Sequence, residues 1–217
     1  VQDADGILYE VKITVNESGE LTEVLDPCTD QRIFDWIDLY GFPLQKGQRI
    51  EIPLTMTDWL REVAGWLERG AILTIDYGYT EKDWLQPDRK EGSLRGYFRH
   101  RLITDPLLYP GQMDLTAHVH LDAVRKISEV SGLTHLFTMP QRQFLLSAGI
   151  LDHLTEHAET DPFSPSGRQN RAISSLVSET SLGNVFYAML QAKRLSGRFL
   201  KGWTSRDPVQ EAIQKRR

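Results

Sequence analysis

The chain has 217 residues, a formal net charge of −5, 40% hydrophobic and 25% charged residues, and a single cysteine. That length can bury a real core, the composition is ordinary for a soluble domain, and the acidic balance argues against a broad phosphate-binding surface. Cys28 alone excludes an internal disulfide and any thiol-metal site, and no apolar run reaches the roughly 18–20 residues of a membrane helix.

The opening VQDADGILYEV has no initiator methionine and no basic or apolar leader region, so the chain is expected to begin inside a longer gene product. Tyr9 to Val15 alternates, Asn16 to Gly19 carries turn chemistry, and Leu21 to Leu25 returns, which reads as a hairpin. Ile33, Phe34, Ile37 and Tyr40 recur at helical spacing before Gly41. Gln48 to Leu54 alternates and reads as an edge strand near Pro53. A helix follows, with Thr55 and Asp58 as a capping box, Trp59, Leu60, Val63, Trp66 and Leu67 as its apolar stripe, and Gly70 as its stop.

Ala71 to Ile75 is an unbroken apolar run ending in Asp76-Tyr77-Gly78. It reads as a strand covered on both faces within a parallel sheet. The connection after it is long and polar or aromatic, and connections of that kind are often functional. Ligands in open α/β sheets sit beyond the carboxyl ends of strands. Leu121, Val124, Ile127 and Val130 then line a helix closed by Gly132, Leu133 to Met139 reads as a strand, and Phe144 to Leu154 as a helix. Asp161 to Asn170 reads as a loop, Ala172 to Val177 as helical, Val185 to Leu190 as a last strand, and Trp203 to Arg217 as a charged tail.

Asp76 at a strand end can accept ligand hydrogen bonds or cap the next turn, and Gly78 permits close backbone approach. Arg95, Arg99, His100 and Arg101 form a basic cluster flanked by Tyr97 and Phe98, able to hold an anion or a polar partner chain. Asp114, Thr116, His118, His120 and Asp122 crowd together; extended, His118 and His120 point to one side as a possible ligand pair, but ordering of a binding loop is the favoured reading over metal. His153, Glu156 and His157 spell H-x-x-E-H, a zinc arrangement in principle and more simply a solvated helix end. No G-x-S-x-G elbow supports Ser93, Ser147 or Ser174 as nucleophile, and no G-x-G-x-x-G or G-x-x-x-x-G-K-[ST] turn occurs.

GAILTIDYGY, EGSLRGYFRHR, DPLLYPGQMDLTAHVHLDAV and the later Gln141 to Leu145 with Gly149-Ile150 resemble the MidA-type (DUF185) methyltransferases, over roughly Tyr9 to Lys193. Where that family tends to carry Thr-Gln, this chain has Pro140-Gln141. The resemblance implies the C-terminal half of a class I Rossmann-like α/β sheet, with an added hairpin and a motif-bearing loop, using S-adenosylmethionine to methylate a protein side chain, arginine in that family. It divides the chain into a partial methyltransferase domain over residues 1–200 and a tail over 201–217. The cofactor motifs of the family lie in a preceding half, so no cofactor-binding residue is assigned. Asp76 and Asp114 are the expected catalytic acids; Tyr77, Gly78, Arg95, Tyr97, His100, Thr116 and His118 are the expected substrate-binding residues. A protein substrate is expected, with no metal, no nucleic acid and no membrane span. The expected compartment is the bacterial cytoplasm, or the mitochondrial matrix for a eukaryotic relative. The rival readings are a non-catalytic assembly module and a metal-dependent hydrolase.

Overall fold

In the computed structural model, which describes residues 1–4, 7–155, 164–179 and 182–195, the alternating amino-terminal segment forms an antiparallel sheet. Its strands are β1 (Gln2–Ala4), β2 (Ile7–Val15) and β3 (Leu21–Pro27), in that order. Its turn is set by one side chain, the Asn16 Oδ1 that accepts from the backbone N–H of Ser18 at 3.0 Å and of Glu20 at 2.9 Å. Asp30 then caps α1 (Gln31–Tyr40), and Gly41 ends it at φ 58° with its N–H on the Ile37 carbonyl. The helix buries Ile33, Trp36 and Tyr40.

Two compact units arise from the chain: Val1–Leu60 with Tyr79–Lys126, and Arg61–Gly78 with Ile127–Arg217. In the first, Gln48 to Leu54 is not a strand: Arg49 makes an isolated bridge to Glu91, and Ile50 exchanges hydrogen bonds with Val1, but no continuous ladder forms. Pro53 accepts from the N–H of Thr57 instead and opens α2 (Leu54–Trp66). That helix starts before the expected Thr55 cap, and Trp59 and Trp66 are exposed, whereas Leu60 and Ala64 are buried. Gly70 does not stop α2; it begins β4 (Gly70–Tyr79).

The connection after β4 is ordered. It carries α3 (Glu81–Trp84), a 3-10 turn at Pro87–Arg89, then β5 (Arg95–Phe98), β6 (Arg101–Ile103), β7 (Asp114–Thr116) and β8 (Val119–His120), and it leads into α4 (Leu121–Val130). Strands β6, β5 and β7 form a small antiparallel sheet in that order.

The second unit contains the strand order β4, β10 (Phe186–Lys193), β9 (Thr134–Pro140). Strand β10 runs antiparallel to both neighbours, so β4 and β9 point the same way. Phe137, Ala188 and Leu190 form the buried cluster on one face, and Phe144 of α5 (Gln141–Ser147) packs on it. That packing covers β9 and β10. It does not reach the matching row of β4, where Leu73 is 48% and Ile75 41% exposed, so β4 is not covered on both faces. An apolar run cannot say which of its two rows is covered.

The helix expected from Phe144 to Leu154 is broken at Gly149, in the left-handed region at φ 86°, into α5 and a 3-10 turn at Ile150–His153. The expected loop at Pro165 to Asn170 is instead the start of α6 (Pro165–Val177), because Ser164 caps it and Pro165 fills a position that needs no N–H. Glu156, His157, Asp161 and the tail from Trp203 lie outside the described residues.

Candidate functional site

The segment from Tyr79 to His120 is pinned from within. Thr80 and Asp83 form a reciprocal capping box, which turns the chain so that Trp84 is only 1% exposed. Trp84 stacks on His120 at 4.3 Å and meets Tyr79 edge-on at 5.3 Å. Nε2 of His120 lies 2.9 Å from the Glu51 carbonyl oxygen; a carbonyl only accepts, so Nε2 carries the proton. Burial pushes the His120 pKa down to about 4, against the opposing pull of that hydrogen bond and of Asp122. Trp36, Tyr40, Phe42, Tyr79 and Trp84 line a half-open pocket of about 250 Å³ beside this ring.

A second histidine closes a column of stacked groups. The Arg89 guanidinium lies 4.3 Å over the Tyr79 ring, Tyr79 stacks on His118 at 4.0 Å and 5°, and Arg95 Nη2 approaches His118 Nδ1 at 2.6 Å. Burial, then Arg95, then Arg89, lower the His118 pKa to about 4. At neutral pH His118 is therefore an uncharged acceptor facing a guanidinium.

The carboxylate of Glu51 clamps the entry to β5. It accepts from the backbone N–H of Ser93 at 3.1 Å, from the Ser93 hydroxyl at 2.8 Å and from the Leu94 N–H at 3.2 Å. The Ser93 oxygen accepts in turn from the His118 N–H at 2.8 Å. Ser93 is thus a structural hinge between strand and histidine. Gly92 is required beside it: its φ is +81°, and a Cβ there would lie 2.5 Å from Glu51 Oε1.

The register of the small sheet decides which side chains meet. Arg95 faces Thr116, and Tyr97 faces both Asp114 and Leu102. Residues opposite one another share a face, as do residues two apart. Arg95, Tyr97, Asp114 and Thr116 therefore stand on one face, with His118 bonded to Arg95 at its end. The other face carries Gly96, under the Met113 side chain, with Phe98, Arg101 and Leu115. His100 is on neither face. With Arg99 it makes the two-residue turn of the β5–β6 hairpin, at φ 63° and 48°. Left-handed non-glycine residues cost roughly 1–2 kcal/mol each.

Asp76, Tyr77 and Gly78 belong to the second unit, and Asp114 to the first. There Asp76 Oδ1 accepts from the Tyr77 N–H at 2.8 Å, and Tyr77 meets Phe186 edge-on at 5.6 Å. Among the described residues no group of three His, Cys, Asp or Glu could hold a metal, and the rings of His118 and His120 are already engaged as above. Sequence reasoning missed Glu51, Tyr79, Trp84 and Arg89. The Thr80 to Asp83 spacing was a legible cap; nothing in the sequence ties Glu51 to Ser93.

Residues 1–139 match the family model described as "Putative S-adenosyl-L-methionine-dependent methyltransferase". The chain belongs to that family. A native crystal structure of a COG1565 superfamily protein from Burkholderia thailandensis is similar at 29% identity and TM-score 0.78, covering 91% of this chain and 52% of that one. A second structure from the same organism, of a COG1565 superfamily member bound to S-adenosyl-homocysteine, gives 29% identity and TM-score 0.78 over 90% of this chain and 50% of that one. This chain thus spans about half the length of those proteins. No match is found among the curated proteins. The α/β architecture agrees with the class I Rossmann-like sheet that the motifs imply. No described helix is long and apolar enough to cross a membrane.

Proposed function

We propose that this chain forms the substrate side of an S-adenosylmethionine-dependent methyltransferase acting on a protein side chain, arginine by resemblance. The observation that carries the reading is the shared face of β5 and β7: Arg95, Tyr97, Asp114 and Thr116 in one register, ending on an uncharged His118. Family membership supports the reaction class, and the S-adenosyl-homocysteine bound to the Burkholderia protein supports the donor.

The donor itself does not fit the aromatic pocket of the first unit. That pocket's walls already touch one another, Trp84 stacking on His120 at 4.3 Å and Trp36 meeting the same ring edge-on at 5.3 Å, which leaves no slot for an adenosine. On the substrate side, a guanidinium is planar, charged and donor-only. The exposed ring of Tyr97 offers a stacking surface, and the Asp114 carboxylate across from it can take two parallel N–H bonds and receive the proton that a methylated nitrogen must shed. Arg95, held on His118, keeps that face cationic at its far end and sets the direction from which a carboxylate-bearing chain approaches. Asp76 is the second acid of the reading.

Methyl transfer measured with labelled donor and protein acceptors, on the longer protein, tests this. Asp114→Asn is expected to lower the rate at least about 100-fold, the range of a lost proton-transfer group, and Asp76→Asn to lower it as well. Full activity in Asp114→Asn would refute the assigned role.

A further inference from the structure

We propose that the tip of the β5–β6 hairpin, together with the Phe98 and Arg101 side of the small sheet, binds an acidic polypeptide segment. The proposal rests on the reading above, because such a segment would anchor the protein whose side chain reaches the opposite face.

In an acidic protein this hairpin places Arg95, Arg99 and Arg101 within seven residues. Among the described residues none of the three makes an ion pair: Arg95, on the opposite face, is held by the His118 ring, and Arg99 lies over the Phe98 ring at 5.1 Å. Elsewhere in this unit Arg49 pairs with Glu23 at 2.8 Å and Lys12 with Asp26 at 3.0 Å. Arg99, His100 and Arg101 are exposed. The turn also holds Arg99 and His100 at positive φ, where Asn-Gly would be relaxed. Strain kept at an exposed tip points to a use for those two side chains.

The surroundings select the partner. Phe98 stacks on Tyr109 at 4.3 Å, and Leu115, on the face that carries Phe98 and Arg101, is 56% exposed, so apolar area shares that face with the Arg101 guanidinium. Planar guanidinium forks match carboxylates. Strand β6 is an edge of its sheet and offers main-chain groups to an extended peptide. A mixed acidic and apolar polypeptide fits this surface better than a phosphate backbone, which has no use for Phe98 and Leu115.

The test is fluorescence anisotropy with a labelled peptide alternating glutamate and leucine, its glutamine counterpart, and a single-stranded oligonucleotide of equal charge, each titrated with this chain. The glutamate peptide is expected to bind, weakening about tenfold or more as salt rises toward about 0.3 M, and the other two to bind more weakly. Arg99→Asn with His100→Gly and Arg101→Gln is expected to lose at least about tenfold in affinity while melting no lower than the parent, since Asn-Gly suits the turn. Arg101→Gln alone, on an exposed strand position, should lose a smaller factor without touching the turn. Equal affinity in the triple variant, equal binding of the glutamine peptide, or tighter binding of the oligonucleotide would overturn the proposal. Peptide binding without methyl transfer to any protein would sink the catalytic reading and leave the surface standing. Transfer to a protein substrate that ignores the triple variant would do the reverse.

Discussion

Two histidines make the stability of the first unit depend on acid. Both His118 and His120 have pKa values near 4, well below the ordinary 6.5, chiefly because burial disfavours the charged ring. The unfolded chain therefore binds more protons than the folded one between those values, so stability is full above about pH 6.5 and falls as pH drops toward 4. For His120, 3% exposed, a shift of that size corresponds to about 3 kcal/mol; His118 adds less because it is only half-buried. Urea unfolding followed from pH 7 to pH 4 should show this loss, and His120→Phe, which keeps an aromatic ring against Trp84, should flatten the slope. A variant as acid-sensitive as the parent would refute the assignment. The histidines stood out in the sequence as a cluster, but their chemistry did not: the partners that desolvate them, Trp84 and Trp36 at His120 and Tyr79 at His118, lie up to about eighty residues away in the chain and share no local pattern with them.

The small sheet was the element least visible in the sequence, and its supports explain why. Its strands span only three or four residues, too short for alternation to register. Its turn is Arg99-His100 rather than a glycine pair, and Gly96 interrupts β5 where a packed side chain would be expected. By contrast, Tyr9 to Val15 and the helix Leu121 to Val130 were legible because each repeats its period for two or more turns or pleats. What holds the short strands is the contact from Glu51 to Ser93 and Leu94, a charged acceptor shared among three donors. Glu51→Gln places an amide N–H₂ against N–H groups and removes the charge. Each charge-assisted bond contributes about 1.5–3 kcal/mol, so the variant should lose at least about 2 kcal/mol in urea. Hydrogen exchange should quicken first at Gly96, Tyr97 and the Asp114–Thr116 strand. Uniform loss of protection, or none, would mean that the sheet does not depend on this clamp.

At the scale of the whole chain, the question is which parts of the reaction these residues can perform alone. The family motifs in DYGY, LRGYFRHR and DLTAHV named most of the face that the register of β5 and β7 assembles, because that face is built from residues close in sequence. They named Asp76 beside Asp114, and the two fall in different units. Nor does the chain contain a glycine-rich turn of the kind that follows a first strand in dinucleotide-type folds, and the aromatic pocket beside His120 is walled by rings packed on one another. A donor with an adenosine, a sulfonium and an amino-acid head needs a wider site with acceptors at both ends. Titration calorimetry of S-adenosylmethionine into this chain should therefore show no saturable heat at micromolar concentration, whereas the Glu-Leu peptide should still bind its hairpin. Micromolar donor binding would require a site built within these residues, and the division of labour proposed for them would have to be withdrawn.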